Sequence, residues 1–307
     1  VMVSLEQESE SGKMVALSGL IDALETPEFA QSVISAETAE PLAKAALAAL
    51  ETATGEESDK LKARFAGVMA GRFKGPTARE ATLKTLDQGP EAAREAVLAA
   101  LGDPRGVIGR EVFARVLHLS TTGGADMKKL PRLLVRLGGR KAVEPVTAIM
   151  NASDDWRVIS ACALALQDYR DPVILGTVLA RLEQVGMIDD PKKLPWISES
   201  ILNAYLEKAE GAELGRGLRV IRIRSSLAAK NAAALERGLS SNDPAIRRSA
   251  ADATKRGVLS KRITPQEGER LLSGRLATEE EPVLKAELTG GLDQIRSLIP
   301  KPEETQQ

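Results

Sequence analysis

The stretch SNDPAIRRSAADATKRGVL, Ser241 to Leu259, decides the fold. Asp243 suits a helix N-cap, because its carboxylate can accept from the free amides of the first turn. Pro244 suits the first helical position, where a missing N–H costs nothing. A helix therefore begins here. Ile246, Ala250, Ala253 and Val258 recur at three- to four-residue spacing with Ala251 beside them, so one face is apolar but built largely of methyl groups. Small side chains let a second helix approach closely.

The same spacing returns outward from this segment. Taking Ile246 as an anchor, small or apolar residues follow at the fourth, fifth and seventh positions (Ala250, Ala251, Ala253). That frame also fits Leu61 with Phe65, Ala66 and Val68, Val158 with Cys162, Ala163 and Ala165, and Ile197 with Ile201, Leu202 and Ala204. Looser copies start at Ile108 (Val112, Phe113, Arg115) and Leu284 (Leu288, Thr289, Gly291). The anchors at 61, 108, 158, 197, 246 and 284 have a mean step of (284 − 61)/5 = 44.6 residues. Short steps hold two helices. Longer steps have room for a third, at 77–89, 125–139 and 212–224. Asp103-Pro104, Leu194-Pro195, Asp243-Pro244 and Glu281-Pro282 precede four of the anchors and are expected to open their helices.

In DPAIRRSAADA, DDWRVISACALAL (Asp154–Leu166) and SDKLKARFAGVM the chain resembles the HEAT-repeat family of armadillo-type α-solenoids. The resemblance implies an all-α, right-handed α-solenoid of about six to seven HEAT-like helical repeats with a concave inner face. It places an acidic N-terminal helical cap at 1–36, the repeats at 37–299 and a disordered tail at 300–307. The basic residue after the anchor is present as Lys62, Arg247 and Lys285 but is Gly109, Ile159 and Ser198 elsewhere, so a continuous charged ladder is not expected.

Composition agrees and excludes several chemistries. Aromatics are 3% of the chain, and no segment alternates with the period of a strand. No apolar run reaches the ~18 residues of a membrane span. The start, VMVSLEQESES, has no basic region leading into an apolar one, so a soluble protein is expected, cytoplasmic by preference and periplasmic or secreted if a leader was removed before Val1. The single cysteine, Cys162, sits among apolar neighbours as a packing residue. His118 is the only histidine and no Cys-x-x-Cys exists, which removes paired-His metal sites and the motifs of HEAT-like di-iron hydroxylases. Gly123-Gly124, Gly138-Gly139 and Gly290-Gly291 lack the context of phosphate loops and read as helix terminators or close-packing points. No catalytic residue, cofactor or metal is expected.

Charge is where binding could reside. The whole chain carries −1, but residues 1–60 carry −9 and residues 216–275 carry +9. Arg216, Arg219, Arg222 and Arg224 alternate with apolar residues at helical intervals, so they are expected to project from a buried helix. Arg247 and Arg248 follow one layer later. Their alternative is a solvated face balanced by Glu236, Asp243 and Asp252. Trp156 and Trp196 stand just ahead of the anchors Val158 and Ile197. They either cover seams between layers or present two aromatic anchors to a partner. Together these residues predict a non-enzymatic scaffold binding another protein, by preference one with an acidic surface, along the concave face. The alternatives are nucleic-acid or other polyanion binding through 216–262, as on the basic faces of HEAT-like DNA glycosylases, and a HEAT-like lyase-type enzyme. Head-to-tail self-association of the acidic and basic ends is a further possibility.

Overall fold

The computed structural model describes residues 9–26, 32–101, 110–122 and 126–299. The chain is all-α and of the α-solenoid type, in which helices stack in successive layers. Among the described residues the one pairing of extended backbone is a parallel bridge between Ile34 and Phe73. The helices form two compact units, residues 1–146 and 147–307, and the chain passes from one to the other within α8, Val143–Ala152.

In the first unit α1 (Glu10–Glu25), α3 (Glu56–Arg72) and α5 (Glu91–Leu101) pack in succession. A second row is formed by α2 (Ala36–Thr52), α4 (Pro76–Gln88) and α6 (Arg110–Thr122), and α7 (Leu130–Gly138) follows it. The closest approach is between α3 and α5, where Gly67 and Gly71 face Ala96 and Ala100; a Cβ on Gly67 would lie 3.3 Å from the Ala96 carbonyl oxygen. Methyl groups and bare glycines set that distance. Leu17, Ile21, Ala43 and Met69 fill the core around Phe65 and Phe73, whose rings meet edge to face at 5.9 Å.

The second unit alternates the same way. One row is α9 (Trp156–Leu166), α11 (Glu199–Lys208), α13 (Ala232–Leu239) and α15 (Pro265–Leu276). The other is α10 (Pro172–Gln184), α12 (Gly211–Ile223), α14 (Pro244–Leu259) and α16 (Pro282–Arg296), each packed on the next. Acidic caps punctuate this second row. The side chain of Asp171 accepts from the Val173 amide at 3.0 Å, that of Asp243 from Ala245 at 2.8 Å, and that of Glu281 from Val283 at 3.2 Å and Leu284 at 2.6 Å. A proline follows each cap at the first position. Helix α12 opens instead with Glu210-Gly211 and no side-chain cap. The row begins at 172, 211, 244 and 282, steps of 39, 33 and 38 residues.

The helical stripe of the opening segment packs as expected: Ile246, Ala250, Ala253 and Val258 are buried. The phasing differs. Ile246 and Leu284 lie in α14 and α16, but Val158 lies in α9 and Ile197 just before α11, in the opposite row. Three helices separate 197 from 246, as the long step requires, and an odd number of helices carries the frame from one row to the other. Helices inside either row have neighbours on both sides, so the +4, +5, +7 pattern marks either row equally. Asp171-Pro172 opens α10 and was not among the expected openings, while Pro195 precedes α11 without starting it. Ile108, Asp103-Pro104, Gly123-Gly124 and the tail at 300–307 lie outside the described residues.

Candidate functional site

All eight residues singled out by the sequence fall in the second unit. Arg216, Arg219 and Arg222 do project from α12, whose other positions bury Leu214, Leu218, Val220 and Ile221. They are not a free positive surface. Arg216 Nε donates to Glu183 Oε2 at 2.7 Å, Arg219 reaches both Glu183 and Asp189, and Arg222 donates to Asp189 Oδ1 at 2.6 Å. The acids come from the end of α10 and the single turn after it, Met187–Asp189. The hydrogen bond from Arg219 holds the Asp189 carboxyl below its ordinary range, and Arg216 and Arg219 are shifted upward, the first by its bond to Glu183 and the second by its bond to Asp189. The expected balancing acids are used elsewhere: Glu236 pairs with Arg270, Asp252 with Lys255, and Asp243 caps α14. Side-chain geometry between sequence-distant helices chose the partners.

Arg247 and Arg248 diverge although adjacent. Arg247 is buried and grips Glu279 through both Nε (2.9 Å) and Nη2 (2.8 Å). Arg275 donates to the same carboxylate at 2.8 Å, and the Glu281 amide donates to it at 3.1 Å. These donors, Arg247 foremost, hold the Glu279 carboxyl far below the carboxylate range despite a side chain that is 0% exposed. The clamp ties α14 and α15 to the start of α16, so Arg247 is structural. Arg248 stays exposed and bonds Glu287 of α16 at 2.8 Å.

The tryptophans do not cover seams. Trp156 is 39% and Trp196 61% exposed, each with a guanidinium over its ring: Arg157 at 5.4 Å and Arg224 at 5.7 Å from the centroid. The Gln167 side chain bridges the seam. Gln167 donates to the Trp196 carbonyl at 2.8 Å and accepts from the Ser198 amide at 2.9 Å, linking the end of α9 to the start of α11. Trp156 and Leu164 lie with Ser160 on the outward arc of α9, opposite buried Val158, Cys162 and Ala165.

Between α14 and α16 runs an open groove of about 370 Å³, near the lower end of the ~300–1,000 Å³ typical of ligand pockets. Its floor is Ala251, Leu272, Leu288 and the Gly290-Gly291 pair, and its rims are Arg248, Asp252, Lys255, Glu287 and Gln294. The glycines stand inside α16 and do not terminate it. A Cβ on Gly290 would meet nothing within 4 Å. Sequence reading missed this feature because only the packing of α14 on α16 brings the two stretches together. Gly138-Gly139, by contrast, ends α7, with Gly139 at φ 50°.

Cys162 is fully buried, and desolvation pushes its thiol up to about 12. His118 is exposed on α6. Among the described residues no group of three His, Cys, Asp or Glu could hold a metal ion, and no helix is long and apolar enough to cross a membrane.

No protein-family model and no curated protein matches the chain. Among solved structures it is similar to an engineered protein from a structural-genomics consortium, with 16% identity, 99% of this chain and 84% of that one covered, and a TM-score of 0.37. It is similar to a designed armadillo repeat protein in complex with the peptide (KR)4, with 12% identity, coverage of 92% and 98%, and a TM-score of 0.25. A second designed armadillo repeat protein covers 83% of this chain and 97% of its own at 16% identity, with a TM-score of 0.22.

Proposed function

We propose that the chain is a non-enzymatic scaffold of HEAT-type repeats that binds a polypeptide partner along the row α10, α12, α14 and α16, on the concave side of the solenoid. The observation that carries this reading is the groove between α14 and α16. It combines an alanine, leucine and glycine floor with rims of both charge signs, which suits the mixed apolar and amide surface of an extended peptide. The HEAT assignment rests on the Asp-Pro cap followed by Ile246, Arg247 and the alanine stripe. Of the residues expected from sequence, Arg248 lines the groove and is retained as a partner contact, whereas Trp156 and Trp196 are exposed but belong to the opposite row, in α9 and just before α11. Arg216, Arg219, Arg222 and Arg247 are assigned to holding layers together.

Affinity capture from the native source, comparing the parent with Gly290→Trp, tests this. The substitution fills the groove from a position where added atoms meet open space. A captured protein lost at least ten-fold by the variant, with an unchanged melting temperature, is the expected result. Equal capture by parent and variant would remove the groove from the binding surface, and turnover by the purified chain would replace the scaffold reading.

A further inference from the structure

We infer that the turns following α10, α12 and α14 form a second docking strip, separate from the groove, for an acidic polypeptide segment carrying bulky apolar side chains. The inference rests on the scaffold reading for the class of partner, but on different residues.

The three turns are contiguous. Arg224, closing α12, donates to the Leu194 carbonyl at 3.1 Å and lies over Trp196, both in the turn after α10. Gly257, near the end of α14, packs against Ile263 and against Ala228 in the turn after α12; a Cβ there would come within 2.8 Å and 2.9 Å of them. Lys230 in that same turn pairs with Glu199 at 2.6 Å.

The charge on this strip is not neutralised. Residues 253–266, ATKRGVLSKRITPQ, hold Lys255, Arg256, Lys261 and Arg262 and no acid, and residues 214–235 hold five cations and no acid. Arg216, Arg219 and Arg222 are consumed by Glu183 and Asp189, Lys255 by Asp252 and Lys230 by Glu199. Arg224, Arg256, Lys261 and Arg262 have no acidic partner among the described residues, and the last three are exposed. Lys261 is fixed in the left-handed region at φ 58°, with the Arg262 and Ile263 amides both bonded to the Gly257 carbonyl. Ile263 is buried beneath, so the turn presents its two cations outward. Asp171, Glu210 and Asp243 stand at the other ends of these helices, and the acids at the strip end, Glu183, Asp189 and Asp190, are taken by Arg216, Arg219, Arg222 and Lys193. Helix α14 has 16 residues, about 24 Å at 1.5 Å each. The Debye length is about 8 Å at physiological salt. A near-zero total charge therefore does not cancel the field at the turn edge.

Apolar surface selects between anionic partners. Leu259 and Trp196 are exposed on the strip, beside the cations. Four cations without an acidic partner among the described residues fall short of the roughly 6–10 phosphate contacts of strongly salt-dependent nucleic-acid binders, and a single indole offers little stacking. An acidic, apolar peptide matches both components.

The test is fluorescence anisotropy of labelled (Glu-Glu-Leu)5 with the intact chain, against (Lys-Lys-Leu)5 and a fifteen-nucleotide oligothymidylate. The acidic peptide should bind, weaken several-fold between 50 and 200 mM salt, and weaken at least ten-fold with R256E/K261E/R262E. Should that variant melt early, R256Q/K261G/R262Q removes the charge while giving the left-handed position a glycine, and the same loss is expected. Absence of binding at low salt, or equal binding by a folded charge variant, overturns the strip. Tighter binding of the oligonucleotide makes it a nucleic-acid surface instead. Gly290→Trp should leave peptide affinity unchanged, so failure of the groove and failure of the strip are separate results.

Discussion

Two arginine clamps in the second unit use the same device in different surroundings. At the α14–α16 seam, Glu279 is 0% exposed and takes two guanidinium groups and a backbone amide. At the α10–α12 seam, Glu183 and Asp189 are 36% and 41% exposed and share three arginines. A buried charge left without its partner keeps its desolvation penalty, whereas water and salt take up much of the loss at a half-exposed one. Burial, not the number of ion pairs, should rank the two seams.

The largest effect is expected from Glu279→Ala, which strands Arg247 and Arg275. A loss of about 3–5 kcal/mol is expected, read by denaturant midpoint, and a change under 1 kcal/mol would mean that the clamp is dispensable. Next in size is Gly238→Leu. A Cβ at Gly238 already comes within 2.5 Å of Leu218 and 2.9 Å of the Ala250 methyl, so overpacking should cost about 1–3 kcal/mol or more. By contrast, Asp189→Asn should cost at most about 1 kcal/mol. That difference should shrink further in 0.5 M salt, while the Glu279→Ala deficit should persist.

Acid separates the seams on another axis. The folded-state carboxyls of Glu279 and Asp189 are both lowered, the first by Arg247 and the second by Arg219. Their stabilisation is therefore complete above the unfolded values near ~4 and falls away as pH drops through the folded ones. The parent should lose stability from about pH 4 downward, and Glu279→Gln should show a shallower decline in the same window. Parallel pH profiles for parent and variant would contradict the depressed carboxyl. The smallest effect belongs to Trp196→Ala. With the residue 61% exposed, stability should change by no more than about 0.5 kcal/mol, which leaves the variant usable as a binding probe.

Much of this was legible in residues 241–259. Cap chemistry and helical periodicity are local, so Asp243, Pro244 and the methyl stripe declared a close-packed helix, and repetition of the stripe declared an all-α repeat. The row to which each helix belongs was not legible, since Val158 and Ile246 carry the same pattern on opposite rows. Within the second unit the acidic cap plus proline at 171, 243 and 281 was the better phase marker, because among the described residues it occurs on one of its two rows.

For the site, the sequence by itself determined which helix the arginines of 216–224 would project from and that charge of one sign would gather there. Tertiary structure alone decided that Glu183 and Asp189 consume three of them, that Arg247 is buried while Arg248 is not, and that the cations left over are Arg224 and, at the end of α14 and in the turn after it, Arg256, Lys261 and Arg262. The reason is physical. Backbone periodicity is set within a few residues, whereas the partner of a long charged side chain is set by whichever acid a neighbouring layer brings within about 3 Å, and here that acid is some 30 positions away in the chain.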